Sequence, residues 1–297
     1  MSRGKRRAED VHAPPPAPDQ RGAIGLALRA QQRDGPDPGQ EESASHESSP
    51  KRSTVSLVTV RCRNGRVLAR ELLDSAAPEA ARRNLEDIAR INRWFGGHAV
   101  LRRLVGSVAR PGEAFSLLDV GAASGDTAWA LQSAFPNARI TSLDCKPLHL
   151  ASAPPPKVAA DAFGLPFRSR SFDFVLCSLF LHHFDDASIV ALLASFAAAA
   201  RRAVLVSDLE RSPVAYHFLP ATRKLFGWHP LTVHDGPVSV EAGFTAAELE
   251  SLAGAAGLRP RVRRHRPWFR LSLAADVSPQ PGEILAPGKK RLDPLHR

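Results

Sequence analysis

The chain has 297 residues, 43% of them hydrophobic and 24% charged, which is enough for a full core in one large domain or two small ones. No apolar run reaches the about 18 residues of a membrane helix, and residues 1–20 are charged and proline-rich where a signal peptide would be apolar, so a cytoplasmic protein without membrane insertion is expected. The net charge of +10 raises nucleic-acid binding, but the basic residues crowd the two ends and 259–270 instead of one footprint, and no specific nucleic-acid partner is expected.

Residues 1–54 are rich in Pro, Gly, Ser, Glu and Arg and lack an apolar period, which predicts a disordered tail. Residues 55–109 then read as a short strand over 55–62, a turn at Asn64-Gly65 and an N-terminal helical cap. Leu85, Ile88, Ile91, Trp94 and Phe95 recur at helical spacing until Gly96-Gly97 breaks the pattern into two helices. From residue 110 to 273 apolar strand runs (116–120, 139–144, 157–160, 172–178, 203–208) alternate with helical segments, of which 127–134 and 188–200 are the clearest. Alternation of this kind predicts an α/β domain with a parallel sheet covered on both faces. A helix over 246–256 and strands over 258–263 and 268–273 complete the domain, and residues 274–297 return to Pro and Gly as a second disordered tail. Cys62, Cys145 and Cys177 lie far apart without metal-ligand spacing, so free thiols and no metal site are expected.

The sharpest motif is the run 117–126, Leu-Leu-Asp-Val-Gly-Ala-Ala-Ser-Gly-Asp, an apolar strand opening into small residues that let a ligand approach the backbone. A Walker loop is excluded, because Gly125 is followed by Asp126-Thr127 and not by Lys-Ser/Thr. The dinucleotide fingerprint fits poorly as well, since Ala123 and Asp126 stand where its second and third glycines belong and Asp126 would repel a pyrophosphate. A cationic ligand removes that conflict. S-adenosylmethionine carries a sulfonium and an ammonium group, which Asp119 can attract. Asp144, closing the second strand, can accept hydrogen bonds from both ribose hydroxyls, and Asp161, just past the third, can take the adenine amino group.

At these residues the chain resembles the class I S-adenosylmethionine-dependent methyltransferases, whose loop reads Asp-x-Gly-x-Gly-x-Gly. It departs once, with Ala123 at the middle glycine. The resemblance covers about residues 71–273 and is supported by the fourth strand, Ser171 to Ser178, and the Leu165-Pro166-Phe167 turn. It implies a Rossmann-like fold with a seven-stranded, mostly parallel sheet, helices on both faces and S-adenosyl-L-methionine as cofactor. The cofactor site would comprise Asp119, Gly121, Ala123 and Gly125 in the loop, Asp144 and Cys145, Asp161 and Ala162, and Ser178.

For the acceptor, the Asn/Asp-Pro-Pro-aromatic motif of methyltransferases acting on DNA bases is absent after the fourth strand, where the chain has Cys177-Ser178-Leu179-Phe180-Leu181-His182-His183-Phe184, and no RNA-binding module is evident. A small molecule is expected. His182 or His183 is a candidate for accepting a hydroxyl proton. The run 208–217, Asp-Leu-Glu-Arg-Ser-Pro-Val-Ala-Tyr-His, reads as an insertion able to cover the acceptor. With the runs 233–240, 71–74 and 90–93 it is similar to bacterial methyltransferases associated with type III polyketide synthases. That likeness implies O-methylation of a phenolic, polyketide-type or lipidic acceptor, with Tyr216, His217 and His234 as candidates for its pocket. C-methylation of a quinone precursor, and a basic RNA- or protein-binding module without activity, remain open alternatives. The oligomeric state is not readable here.

Overall fold

The computed structural model describes residues 59–62 and 65–277; the predicted tail 1–54, strand residues 55–58, Asn64 and everything after residue 277 lie outside them. The chain enters through a small hairpin in which Val60–Arg61 pairs antiparallel with Val67–Leu68. Its turn is closed by Cys62 N donating to Arg66 O at 2.9 Å and Gly65 N to Cys62 O at 3.1 Å. The helical cap follows as α1 (Pro78–Trp94) and α2 (Gly97–Gly106). Proline at the start of α1 costs no hydrogen bond, because the first N–H groups of a helix have no partner within it. The expected break falls at Gly96, which is left-handed (φ +79°) and lies so close to Trp268 that a Cβ would sit 2.4 Å from its ring.

The sheet strands are β1 (Ser116–Val120), β2 (Arg139–Asp144), β3 (Lys157–Ala159), β4 (Phe172–Ser178), β5 (Ala200–Leu209), β6 (Arg259–His265) and β7 (Arg270–Asp276). They lie in the order β3-β2-β1-β4-β5-β7-β6, with β7 alone running antiparallel to its neighbours. Helices α3 (Asp126–Ala134), α4 (Asp186–Ala199) and α7 (Ala246–Ala255) cover the sheet with α2. The period-2 pleat assigns each strand residue to a face. Leu117, Phe174, Leu176 and Leu205 pack under Leu101, Leu104 and Leu131 from α2 and α3. On the other face Leu118, Val175, Cys177 and Val206 meet Ile189, Leu193 and Phe196 of α4 and Leu249 of α7. This is the α/β architecture that the strand-helix alternation predicts, and its seven-stranded, mostly parallel sheet is the Rossmann-like one that the resemblance implies.

Two boundaries differ from the sequence reading. The tail expected from residue 274 begins no earlier than 277, because Ala274 and Ala275 are buried and pair with Leu205 and Val204 of β5. Their small side chains resemble linker composition, but they fill the last rungs of a central strand. The insertion after β5, to which the sequence reading assigns no element, consists of two helices, α5 (Pro213–Phe226) and α6 (Pro230–Ala242). Each carries an interior proline, Pro220 or Pro237, which removes one helical hydrogen bond and hides the element from a periodicity search.

Candidate active site

A cavity of about 790 Å³ opens where the parallel strands end, roofed by α1, α5 and α6. Its floor is the loop after β1. Ala122 N donates to Leu143 O at 2.9 Å and Gly125 N to Ala122 O at 2.8 Å, which ties the loop to β2. Gly121 (φ +70°), Ala123 (φ +45°) and Gly125 (φ +74°) all take the left-handed conformation that disfavours side chains. A Cβ on Gly121 would lie 2.3 Å from the Phe180 ring, and one on Gly125 would lie 2.6 Å from the Ala153 Cα, so both glycines are fixed by packing as well as by φ. We expect Gly121→Val to lower the melting temperature by several degrees and to abolish ligand binding at the loop. Unchanged calorimetric binding by a folded variant would remove Gly121 from the site.

The aspartates divide into different roles. Asp144 is buried; its Oδ2 accepts from Ala123 N at 3.0 Å and its Oδ1 from Lys146 N at 2.9 Å, which fixes the carboxylate at the cavity wall. Asp161 is exposed at the wall, with Oδ1 accepting from Phe163 N at 3.0 Å. Cys145, Ala162, Ala123, Gly121 and Ser178, the other residues proposed from the sequence for this site, also line the space. Asp119 and Gly125 do not. Asp119 lies beneath the loop with Oδ2 unpartnered, and burial, reinforced by the Asp126 and Asp144 carboxylates, pushes its pKa well above the usual carboxylate range. The loop carboxylate that does reach the cavity is Asp126, which accepts from Asn92 Nδ2 at 3.0 Å and His98 Nε2 at 2.9 Å. Although burial pushes its pKa upward, these two hydrogen bonds hold it below the usual carboxylate range.

The other half of the cavity is apolar. Leu85, Ile88, Ile91 and Phe95 face it from one stripe of α1, and Ala215, Phe218 and Leu219 from α5. The stripe on α5 explains why two candidates fail. Residues at i, i+3 and i+4 share a helix face, so Tyr216 and His217 point away. His234 also misses the cavity; it is exposed, with Nδ1 2.9 Å from Asp235 Oδ1. None of these three predicted pocket residues lines the space.

Both histidines after β4 do, on a single 3-10 turn at Leu181–His183 with ring centroids 4.2 Å apart. His182 is buried and its Nδ1 donates to Asp208 Oδ1 at 2.7 Å, which leaves Nε2 toward the cavity. Asp208 also accepts from the backbone N–H of Leu181 at 3.0 Å and of Leu209 at 2.8 Å. Burial would raise the Asp208 pKa, but His182 and these backbone donors hold it below the usual range. Burial would likewise lower the His182 pKa, but the Asp208 carboxylate more than reverses this and raises it. For His183 burial and the charge of His182 act together and lower it, although 37% of its side chain remains exposed. The two pKa values are thus pushed in opposite directions, and His183 is the member more easily held neutral and able to accept a proton.

The residue that sequence reasoning missed is Glu71. Its Oε1 lies 3.9 Å from His182 Nε2 and 3.8 Å from His183 Nδ1, and it accepts a short hydrogen bond from Ser239 Oγ. Glu71 stood out only as part of a similarity motif, because a single acid ahead of a helix carries no spacing signal. It is positioned by Asp235, whose carboxylate accepts from Leu72 N at 2.9 Å and Leu73 N at 3.0 Å. Arg66 completes the frame. Fully buried and stacked 4.3 Å over Phe244, it donates to Ala242 O, Asp186 Oδ1, His182 O and Phe184 O.

Residues 118–203 match the family model described as a methyltransferase domain. A chain from the complex of the Trm112 methyltransferase activator with a methyltransferase of Haloferax volcanii is 15% identical over 70% of this chain and 98% of that one, with a TM-score of 0.50, and shares the fold. Human N-acetylserotonin methyltransferase in complex with S-adenosylmethionine is 18% identical over 70% of this chain and 62% of its own, with a TM-score of 0.47. A protein of Nostoc punctiforme described as an O-methyltransferase is 23% identical over 61% of this chain, with a TM-score of 0.46, and the match spans only 56% of its length. No curated protein sequence matches the chain.

Proposed function

We propose that this chain, built on a methyltransferase domain, transfers a methyl group from S-adenosylmethionine to a hydroxyl oxygen of an apolar small molecule of phenolic or polyketide type. The observation that carries the reading is one continuous cavity with two chemically distinct ends. At the loop end the carboxylates Asp126, Asp144 and Asp161 outnumber the one lysine, Lys146, and with the neutral polar groups of Asn92, Ser124 and Thr127 they suit a cationic, hydroxyl-rich ligand. S-adenosylmethionine supplies an electrophilic methyl group on a sulfonium centre. Asp144 holds the ribose hydroxyls, Asp126 the ammonium and Asp161 with Ala162 the adenine edge.

At the other end α1 and α5 bury the acceptor body and exclude water, so the reacting groups are held in place without solvent competition. His183, kept neutral, takes the hydroxyl proton. Glu71 then balances the imidazolium that forms, and the Asp208–His182 pair holds the turn. Incubation of the purified chain with methyl-labelled S-adenosylmethionine and cell extract, followed by mass spectrometry, is expected to yield a labelled phenolic ether. Label on carbon would move the reading to C-methylation, and no labelled small molecule would overturn it.

The basic surface belongs to solvent in this reading. Arg201 pairs with Asp173, Arg202 with Glu113, Arg211 with Glu248 and Arg261 with Asp276, which disperses the positive charge. Duplex DNA and structured RNA are expected to bind weakly and to lose most of that affinity as salt rises. Sequence-selective binding at physiological salt in a filter or anisotropy assay would contradict this.

A further inference from the structure

Glu71, His182 and His183 each direct one donor atom to a common point, all within 4.8 Å of one another, and no other such trio of His, Cys, Asp or Glu occurs among the described residues. We propose that these three side chains form a binding site for a divalent transition-metal ion of the zinc or cobalt type. Two imidazoles and a carboxylate are a donor set that such ions accept, with a further position left open. Bonds of about 2.0 to 2.2 Å in tetrahedral geometry separate neighbouring ligands by about 3.3 Å. Glu71 Oε1 already lies 3.8 and 3.9 Å from the two imidazole nitrogens, which are themselves within 4.8 Å of one another, so closure is a matter of side-chain adjustment.

The second observation lies behind the donors. A histidine that ligates a metal is commonly oriented by a carboxylate on its other nitrogen, and Asp208 occupies that place on His182 at 2.7 Å, leaving the Nε2 lone pair toward Glu71. The Ser239 hydroxyl orients the Glu71 carboxylate in the same way. The open side faces the cavity, which gives an ion both an entry path and room for a water or a hydroxyl oxygen. An ion held here takes up the imidazole lone pairs, so ion binding and proton uptake exclude each other at His183.

The inference concerns the same residues as the proposed proton transfer but does not depend on turnover. The full chain, treated with chelator and dialysed, would be titrated with Zn²⁺ by calorimetry and with Co²⁺ by visible absorption. The expected result is a single saturable site with the absorption of four-coordinate Co²⁺, weakened at least about tenfold in both His183→Ala and Glu71→Gln, the range seen when metal-site partners are removed. His183 is partly exposed, so its variant should keep the wild-type circular dichroism. No saturable binding by the wild-type chain, or binding by either variant as tight as that of the wild type, overturns the site. S-adenosylhomocysteine binding to the wild-type chain, measured alongside, tests the methyl-transfer reading separately, and its absence would leave the metal result standing.

Discussion

Asp144→Ala should weaken S-adenosylhomocysteine binding by at least roughly tenfold in calorimetry. A hydrogen bond to a charged acceptor is worth about 1.5 to 3 kcal/mol, and a ribose hydroxyl bonded to this carboxylate loses all of it. The loop is affected too, because Ala123 N and Lys146 N both donate to Asp144 and lose their acceptor in the variant. Ala123 is already held at a positive φ of 45°, so a loosened loop has a more relaxed conformation available. The melting temperature should therefore fall along with affinity. Wild-type affinity in the variant would remove Asp144 from the cofactor site.

His183→Gln should lower turnover by about a hundredfold while leaving S-adenosylhomocysteine affinity unchanged, the usual cost of losing a general base. A phenol of pKa about 10 stands some 3 units above neutrality, and holding it as phenolate costs about 4 kcal/mol without help. More acidic phenols need less, so the loss should shrink with the acceptor pKa. The pH profile supplies a second check. Burial and the neighbouring His182 lower the His183 pKa, so the base is already free at neutral pH. Turnover should fall only as pH drops through that lowered value, below the ordinary histidine pKa of about 6.5. An acid limb above it, or full turnover in the variant, would remove His183 from the proton transfer.

The loop half of the cavity was legible in the sequence because its determinants are local. A strand, a run of small residues and acids at the ends of successive strands keep their spacing in any sheet of this order, and Gly121, Asp144 and Asp161 fall where that logic places them. Asp119 and Gly125 show the limit, since the motif marks the loop without telling which of its side chains reach the ligand. The apolar half was largely illegible. Its walls come from α1, α5, α6 and residues 66–74, brought together by contacts between residues more than a hundred positions apart, such as Arg66 with His182 and Asp235 with Leu72. Tyr216, His217 and His234 were chosen for their chemistry, but a helical register decides which side chain faces inward. That register was hidden by Pro220 and Pro237.

The Arg66 guanidinium joins the entry hairpin to α6 through Ala242 O, to the turn of the histidines through His182 O and Phe184 O, and to the start of α4 through Asp186. A segment ahead of a domain ordinarily frays, and its amides exchange with solvent by small local openings. Here the hairpin cannot open without stranding a buried charge among carbonyls, which places it in the same cooperative unit as the sheet. Its amides at Cys62 and Gly65 are accordingly expected to exchange with deuterium more slowly than those of a fraying segment, which native-state hydrogen exchange would check.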